Sequence, residues 1–167
     1  MVILTVLAAT VTLLLAAAVT GVFFAFSVSV LPGLDAVGAG QAVASMRSIN
    51  EKILNPVFLS AFLGVPVAAA ATGALLLTQG HRAAGLAFLA AAAVYVLGVI
   101  APTAAVNVPM NETLAALGSP DDAERAARAW VEFSPRWTRW NSLRGAFGGV
   151  TLLLAALGVH LWGRAVR

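Results

Sequence analysis

The chain has 167 residues, of which 60% are hydrophobic and only 10% are charged, a balance typical of an integral membrane protein. It contains no cysteine, which excludes disulfides, thiolate metal sites and cysteine nucleophiles. The net charge of +3 reflects a small number of acids, so nucleic acid is not an expected partner.

Four apolar segments are each long enough to cross a bilayer core of about 30 Å. The first begins without a basic region, which favours a retained helix over a signal peptide, and Pro32-Gly33 is predicted to end it. We predict an all-α fold: an integral membrane four-helix bundle forming a single transmembrane domain over residues 1–167, with two amphipathic helices in the long loops. The predicted membrane helices are 2–31, 57–78, 83–106 and 135–162, and the predicted amphipathic helices are 41–54 and 120–133.

Three helix starts are predicted from a capping residue followed by proline. Asn55-Pro56 opens the second membrane helix, Ser119-Pro120 opens the second amphipathic helix, and Ser134-Pro135 opens the fourth membrane helix. The small-residue pairs Gly145/Gly149 and Ala69/Gly73 permit close helix packing, either inside the bundle or in a homo-oligomer.

The two long loops must lie on the same side of the membrane, because an even number of crossings separates them. One helix face of the stretch before the last apolar run carries Trp137, Trp140, Asn141 and Arg144, at positions i, i+3, i+4 and i+7. Three further asparagines belong to the same side: Asn50, Asn107 and Asn111. The sequence therefore predicts a polar cluster at one end of the bundle.

The roles of these side chains leave alternatives open. Arg144 needs a carboxylate, a carbonyl or an anionic ligand, unless it extends to phosphate headgroups. Asn107 and Asn111 could instead satisfy carbonyls freed by nearby prolines. The rings of Phe23, Phe26, Phe58 and Phe62 could line a pocket or simply pack in the core.

The histidines do not favour a metal site. His81 and His160 lie on the opposite side from Glu51, Glu112 and Glu132, so no carboxylate and histidine set can assemble, and we expect no metal and no cofactor. A carboxylate, several amides, an arginine and indoles beside an apolar space suit proton abstraction from an acidic carbon and stabilisation of the resulting anion.

Lys and Arg are more numerous in the long loops than on the other side, which favours loops in the cytoplasm. We expect a bacterial inner membrane or a plasma membrane location. The expected partners are the membrane itself and a small hydrophobic molecule or lipid.

Most of the chain resembles the anthrone oxygenase-like family of small four-helix membrane proteins. The resemblance rests on four stretches: Gly21-Val-Phe-Phe-Ala-Phe-Ser27 followed by Leu31-Pro32, Met46-Arg-Ser-Ile-Asn50, Asn107-Val-Pro-Met-Asn111, and Trp137-x-x-Trp140-Asn141-x-x-Arg144. It implies oxidation of a polyketide anthrone to an anthraquinone by dioxygen without an obvious prosthetic group. The chain departs from many relatives at Ser142 and Gly145, where His and Thr are expected, and this removes the most natural proton acceptor.

The first functional hypothesis is a cofactor-independent, membrane-embedded oxygenase-like protein for a hydrophobic aromatic or polyketide-like substrate. Its catalytic candidates are Glu112 or Glu51 as the base, with Asn107, Asn111 and Arg144 holding the anion. Its substrate-binding candidates are Asn50, Trp137, Trp140, Asn141, Phe23, Ser27, Phe58 and Phe62. The alternatives are a non-catalytic module that binds a lipid or small hydrophobic ligand, and a polar cap that only seals the bundle.

Overall fold

The structure, a computed structural model, describes residues 1–117 and 122–165, and within these ranges it contains helices and no strand. Seven α-helices are present: α1 Val2–Ala25, α2 Leu31–Asp35, α3 Ala39–Ile53, α4 Pro56–Thr78, α5 Arg82–Tyr95, α6 Val108–Ala115 and α7 Ala123–Ala165. Three wider, π-helical segments interrupt them: π1 Phe26–Val30, π2 Val96–Ile100 and π3 Thr103–Asn107.

Four continuous helical spans are long and apolar enough to cross a membrane: Val2–Asp35, Pro56–Thr78, Arg82–Ala115 and Ala123–Ala165. In the bundle, α4 packs against α1 and α5, and α7 packs against the same two helices, which closes the ring. Large apolar side chains such as Leu14 and Leu153 point outward and are 65% and 71% exposed. The predicted all-α membrane bundle is confirmed, and the chain is an integral membrane protein.

Proline does not end the first and third spans where the sequence predicts. The first span continues through Pro32 to Asp35, and the third continues past residue 106, through Pro102 and Pro109, to Ala115. Each of these prolines lies two residues after a π segment, so the carbonyl four residues before it belongs to that segment. A proline ring clashes with that carbonyl in a regular α-helix, and the wider turn relieves the clash. The prediction that Pro32-Gly33 ends the first helix is therefore wrong.

The predicted helix start at Ser134-Pro135 is also wrong. α7 runs without interruption from Ala123 to Ala165, with Pro135 inside it. The hydroxyl of Ser134 donates to the Asp35 carboxylate at 2.7 Å and so is not a cap. The second amphipathic segment and the fourth membrane helix therefore form a single rod. The other predicted start, Ser119-Pro120, lies outside the described residues.

The start and end of α4 follow local chemistry. The side-chain oxygen of Asn55 accepts the Phe58 N–H at 3.0 Å, which confirms the predicted cap. At the other end Gly80 has a φ of 82°, and the N–H groups of Gly80 and His81 donate to the carbonyls of Leu77 and Leu76 at 3.0 and 2.9 Å. Glycine adopts this left-handed conformation without a steric penalty, so it terminates the helix cleanly.

A second core lies between α2, α3, α6 and the first third of α7, on the side of the long loops. Its buried members are Leu31, Ala42, Val43, Met46, Leu114, Trp130, Phe133 and Trp137. The Asp35 carboxylate at the end of α2 accepts the Trp130 indole N–H at 2.9 Å as well as the Ser134 hydroxyl. These contacts hold the extra helices as a cap over one end of the bundle.

Small residues bring the membrane helices close together inside the bundle. A Cβ added at Gly73 would stand 2.9 Å from the Gly85 carbonyl of α5, and Ala69 is fully buried. Gly145 packs at ordinary distance against Phe23 of α1, whereas a Cβ at Gly149 meets nothing. A homo-oligomer through such faces stays a prediction.

Candidate functional site

A pocket of about 540 Å³ opens in the capped half of the bundle. Its wall is built from the end of α1 with π1, the last turn of α3, the start of α4, the run from π3 into α6, and α7. This volume lies within the range of small-molecule sites in proteins. The pocket therefore lies where four separate parts of the sequence meet.

The structure brings most of the predicted site residues to this pocket. Eleven of the thirteen line it: Phe23, Asn50, Glu51, Phe58, Phe62, Asn107, Asn111, Glu112, Trp137, Asn141 and Arg144. Their convergence depends on the parity of the membrane crossings and on the helix face that α7 turns inward.

Trp140 and Ser27 are not among the lining residues. On α7 the buried positions are Trp137, Asn141 and Arg144, so Trp140 lies at the side of this face and is half-buried. Ser27 lies behind the wall, where its hydroxyl accepts a hydrogen bond from the Asn141 amide at 2.8 Å. Ser27 therefore contacts a pocket residue without facing the pocket itself.

Arg144 is the charged group of the pocket wall, and it is only 5% exposed. Its two terminal nitrogens donate to Thr103 Oγ1 and to Asn141 Oδ1, each at 3.0 Å. The guanidinium carbon lies 4.6 Å from the centre of the Phe23 ring and 5.5 Å from that of Trp137. Because the side chain points into the bundle, the alternative in which it extends to lipid headgroups is wrong.

The Arg144 guanidinium has no acidic partner within residues 1–117 and 122–165. Its contacts are instead a hydroxyl, an amide oxygen and two aromatic rings. Burying a cation without a counter-charge is costly, and neutral hydrogen bonds offset only part of that cost. The inner part of the pocket therefore carries a buried positive charge at Arg144 that suits an anion.

Asn141 ties this wall to the first helix. Its amide nitrogen donates to the Phe23 carbonyl at 2.7 Å and to Ser27 Oγ at 2.8 Å, while its oxygen accepts from Arg144. Phe23 lies three residues before the start of π1, and its carbonyl also accepts the backbone N–H of Phe26. Each polar atom of the Asn141 side chain has a partner, so the amide is held in one orientation.

Asn107 and Asn111 both interact with Trp137. The Asn107 amide nitrogen lies 3.5 Å from the Trp137 carbonyl, and the Trp137 indole N–H donates to Asn111 Oδ1 at 2.8 Å. The alternative in which the two asparagines satisfy carbonyls freed by nearby prolines is therefore wrong. Their contacts instead connect the third span to α7 across the mouth of the pocket.

Aromatic rings form the apolar walls. Phe58 and Phe62 of α4 stack with their centroids 5.7 Å apart, and Phe26 of π1 lies 5.7 Å from Trp137. Together with Phe23 these rings surround a space that is largely apolar. Such walls favour a planar hydrophobic ligand.

Glu51 and Glu112 are the acidic residues of the lining, and both side chains are exposed at its rim. Glu51 lies 3.7 Å from Lys52, an exposed pair that contributes little to stability. In the part of the chain that the structure describes, no three histidine or acidic side chains are close enough to hold a metal ion.

Thr103 is the main polar residue that the sequence analysis missed. It precedes Asn107 and Asn111 at four-residue spacing, and this stripe was visible in the sequence. Arg47 also lines the pocket without having been predicted as a site residue, and Phe26 lines it as one of the rings for which a pocket was considered. Their contribution depends on the course of π1 and on the packing of α3, which no local pattern specifies.

Ser142 is not part of the pocket lining, although His is expected there in many relatives. It is exposed, and its hydroxyl lies 2.9 Å from that of Ser27. Position 142 does not face the pocket, so a serine there leaves the pocket wall unchanged.

Fold and site together define a four-helix integral membrane protein with a capped, aromatic pocket that contains a buried cation. A family model described as anthrone oxygenase matches residues 51–154, which run from the end of α3 into the last third of α7. The chain belongs to the anthrone oxygenase family. Comparisons with curated proteins and with solved structures give no match.

Proposed function

We propose that the protein is an oxygenase-like membrane protein that oxidises a hydrophobic aromatic or polyketide-like molecule with dioxygen and without a bound cofactor. The family supports the reaction class, and the pocket supports a planar hydrophobic substrate. We place the protein in a bacterial inner membrane or a plasma membrane, where such a substrate would dissolve.

The observation that carries the proposal is the burial of the Arg144 guanidinium, without a carboxylate partner among the described residues, in an aromatic pocket. An anthrone loses a proton from its central CH₂ group to give an enolate whose charge resides mainly on oxygen. A fixed cation in a desolvated site stabilises such an oxyanion strongly. Arg144 therefore supplies the interaction that favours the reactive form of the substrate.

In the proposed reaction Glu112 or Glu51 accepts the proton, and Arg144 and the amide hydrogens of Asn111 hold the enolate oxygen. Trp137 covers the ring. The anion gives an electron to dioxygen, and recombination forms a carbon–oxygen bond and then, after protonation, a hydroperoxide. Loss of water from the hydroperoxide leaves a carbonyl. The CH₂ group and one O₂ thus become C=O and H₂O, so the reaction needs no further oxidant.

Oxygen consumption by the purified protein with emodin anthrone tests the proposal. We expect a rate well above spontaneous oxidation, and a decrease of at least about 100-fold in the protein-dependent rate for Arg144→Ala, as for the loss of other oxyanion donors. Arg139→Ala is the matched control, because Arg139 is exposed on the same helix. A rate equal to the spontaneous one, or an unchanged rate in Arg144→Ala, would contradict the proposal.

A non-catalytic binding module is the second candidate. It is favoured by the position of Glu51 and Glu112, the two carboxylates of the lining. Both lie at the exposed rim of the pocket, whereas Arg144 is buried, so neither carboxylate lies beside the buried cation. This candidate predicts that hydrophobic ligands raise the unfolding temperature while no oxygen is consumed.

A further inference from the structure

We infer that the pocket recognises a hydroxyl group on its ligand and that the side-chain oxygen of Asn107 accepts the hydrogen bond from it. This inference rests on the proposed ligand site, but it does not require that the ligand be oxidised. It assigns Asn107 a role in specificity that differs from holding the anion.

The orientation of the Asn107 amide is set by Trp137. The amide nitrogen faces the Trp137 carbonyl at 3.5 Å, a long and therefore weak hydrogen bond. If the amide were reversed, Asn107 Oδ1 would face the Trp137 carbonyl oxygen, and the two oxygens would repel each other. Even a weak hydrogen bond therefore decides the orientation of the Asn107 amide. Its Oδ1 atom is left to accept a hydrogen bond from another partner.

Asn107 Oδ1 has no partner of its own. The residue is 1% exposed, and the oxygen is buried without a hydrogen bond from any described residue. A buried acceptor left unpaired destabilises the protein, because it has lost its hydrogen bonds to water without gaining a replacement. Since Asn107 lines the pocket, a donor on the ligand would remove this cost.

The other asparagines of the pocket present donors or are fully occupied. Asn111 Oδ1 accepts the Trp137 indole, which leaves its amide hydrogens available, and Asn50 Nδ2 is buried without a partner among the described residues. Asn141 has a partner at each polar atom. Arg144 Nε is a further buried donor without a described partner.

The side-chain oxygens of Thr103, Glu51 and Glu112 are occupied or solvated. Thr103 Oγ1 accepts from Arg144 and donates to the Val99 carbonyl at 2.7 Å, so it has both kinds of partner. The carboxylates of Glu51 and Glu112 are exposed, where water can hydrogen-bond to them. A ligand that fits this pattern carries acceptor oxygens for the donors and one hydroxyl for Asn107.

The ligand hydroxyl that Asn107 binds and the anionic ligand oxygen that Arg144 stabilises lie at different depths in the pocket. Thr103, which holds Arg144, precedes Asn107 by four residues, a rise on the order of 6 Å along a helix. The ligand therefore presents its hydroxyl on a different carbon from the oxygen that Arg144 stabilises.

Binding of anthraquinones tests this inference, because the carbon that is oxidised in an anthrone is already a carbonyl in these compounds. The probes are 1-hydroxy- and 2-hydroxyanthraquinone, each compared with its methyl ether, which keeps the oxygen but has no donor. Quenching of tryptophan fluorescence in lipid nanodiscs gives the dissociation constants. We expect the wild-type protein to bind at least one hydroxyl compound about five to ten times more tightly than its ether.

Asn107→Leu, which has nearly the same shape but no acceptor, should reduce this preference to less than about twofold. Asn107→Ala also removes the acceptor and should reduce the preference in the same way, so it serves if Asn107→Leu does not fold. Ser142→Ala is the control: Ser142 is exposed and does not line the pocket, so both affinities and their ratio should stay unchanged.

A wild-type protein that prefers neither hydroxyl compound would overturn the inference, as would an unchanged preference in Asn107→Leu. The result is separate from the test of the proposed function. A clear preference without any oxygen uptake would support the role of Asn107 and contradict oxidation. Oxidation without a preference would contradict only the role of Asn107.

Discussion

The neighbours of each asparagine amide determine which donors and acceptors that amide presents to the pocket. Asn141 uses its nitrogen for α1 and its oxygen for Arg144, whereas Asn107 uses its nitrogen for Trp137 and keeps its oxygen free of described partners. The two side chains are chemically identical, and their neighbours alone make one of them structural and the other available to a ligand. Residue type therefore did not distinguish these roles in the sequence.

Asn141→Leu should destabilise the protein by about 2 kcal/mol, because it removes three buried hydrogen bonds that are each worth about 0.6 to 1 kcal/mol in a membrane. Unfolding in mixed detergent micelles measures this change. Ser142→Ala is the matched control on the neighbouring residue, since it loses only an exposed contact with Ser27 and should change stability by less than about 0.5 kcal/mol. Equal effects of the two substitutions would contradict the account of Asn141.

At the scale of elements, π segments explain how the helices continue through Pro32, Pro102 and Pro109. The three π segments each precede a proline by two residues, and two of them, π1 and π3, also supply pocket residues. Sequence patterns indicated a break at Pro32 because proline usually ends a helix. The wider turn instead carries the helix onward to Asp35, whose carboxylate then reaches α7.

Asp35→Ala should loosen the cap, because the Trp130 indole N–H and the Ser134 hydroxyl lose their acceptor in a largely buried setting. We expect faster amide hydrogen exchange in residues 123–133 and no change at the opposite end, where Gln79 Nε2 donates to Thr5 Oγ1 at 2.7 Å. Asp35→Asn keeps an acceptor oxygen and should exchange nearly as the wild type does. Exchange in Asp35→Ala equal to that of the wild type would show that this contact does not hold the cap.

At the scale of the whole molecule, hydropathy and parity predicted the four-helix bundle and the end at which the site lies. The helix face of Trp137, Asn141 and Arg144 was predicted from spacing, because α7 is regular there. The place of Ser27 behind the wall and the inclusion of Thr103 were not predicted. Both depend on the depth at which neighbouring helices pack, which a single sequence does not encode in any local pattern.

The central claim is that the buried cation of this bundle stabilises the anion of a hydrophobic substrate. An anaerobic titration followed by visible absorbance measures this directly, because the anthrone anion and the neutral anthrone absorb differently and no oxidation intervenes. At fixed pH the wild-type protein should increase the ratio of ionised to neutral bound anthrone by at least about tenfold over empty nanodiscs, and Arg144→Ala should abolish the increase. An ionised fraction that is the same with the wild-type protein, with Arg144→Ala and with empty nanodiscs would contradict the claim.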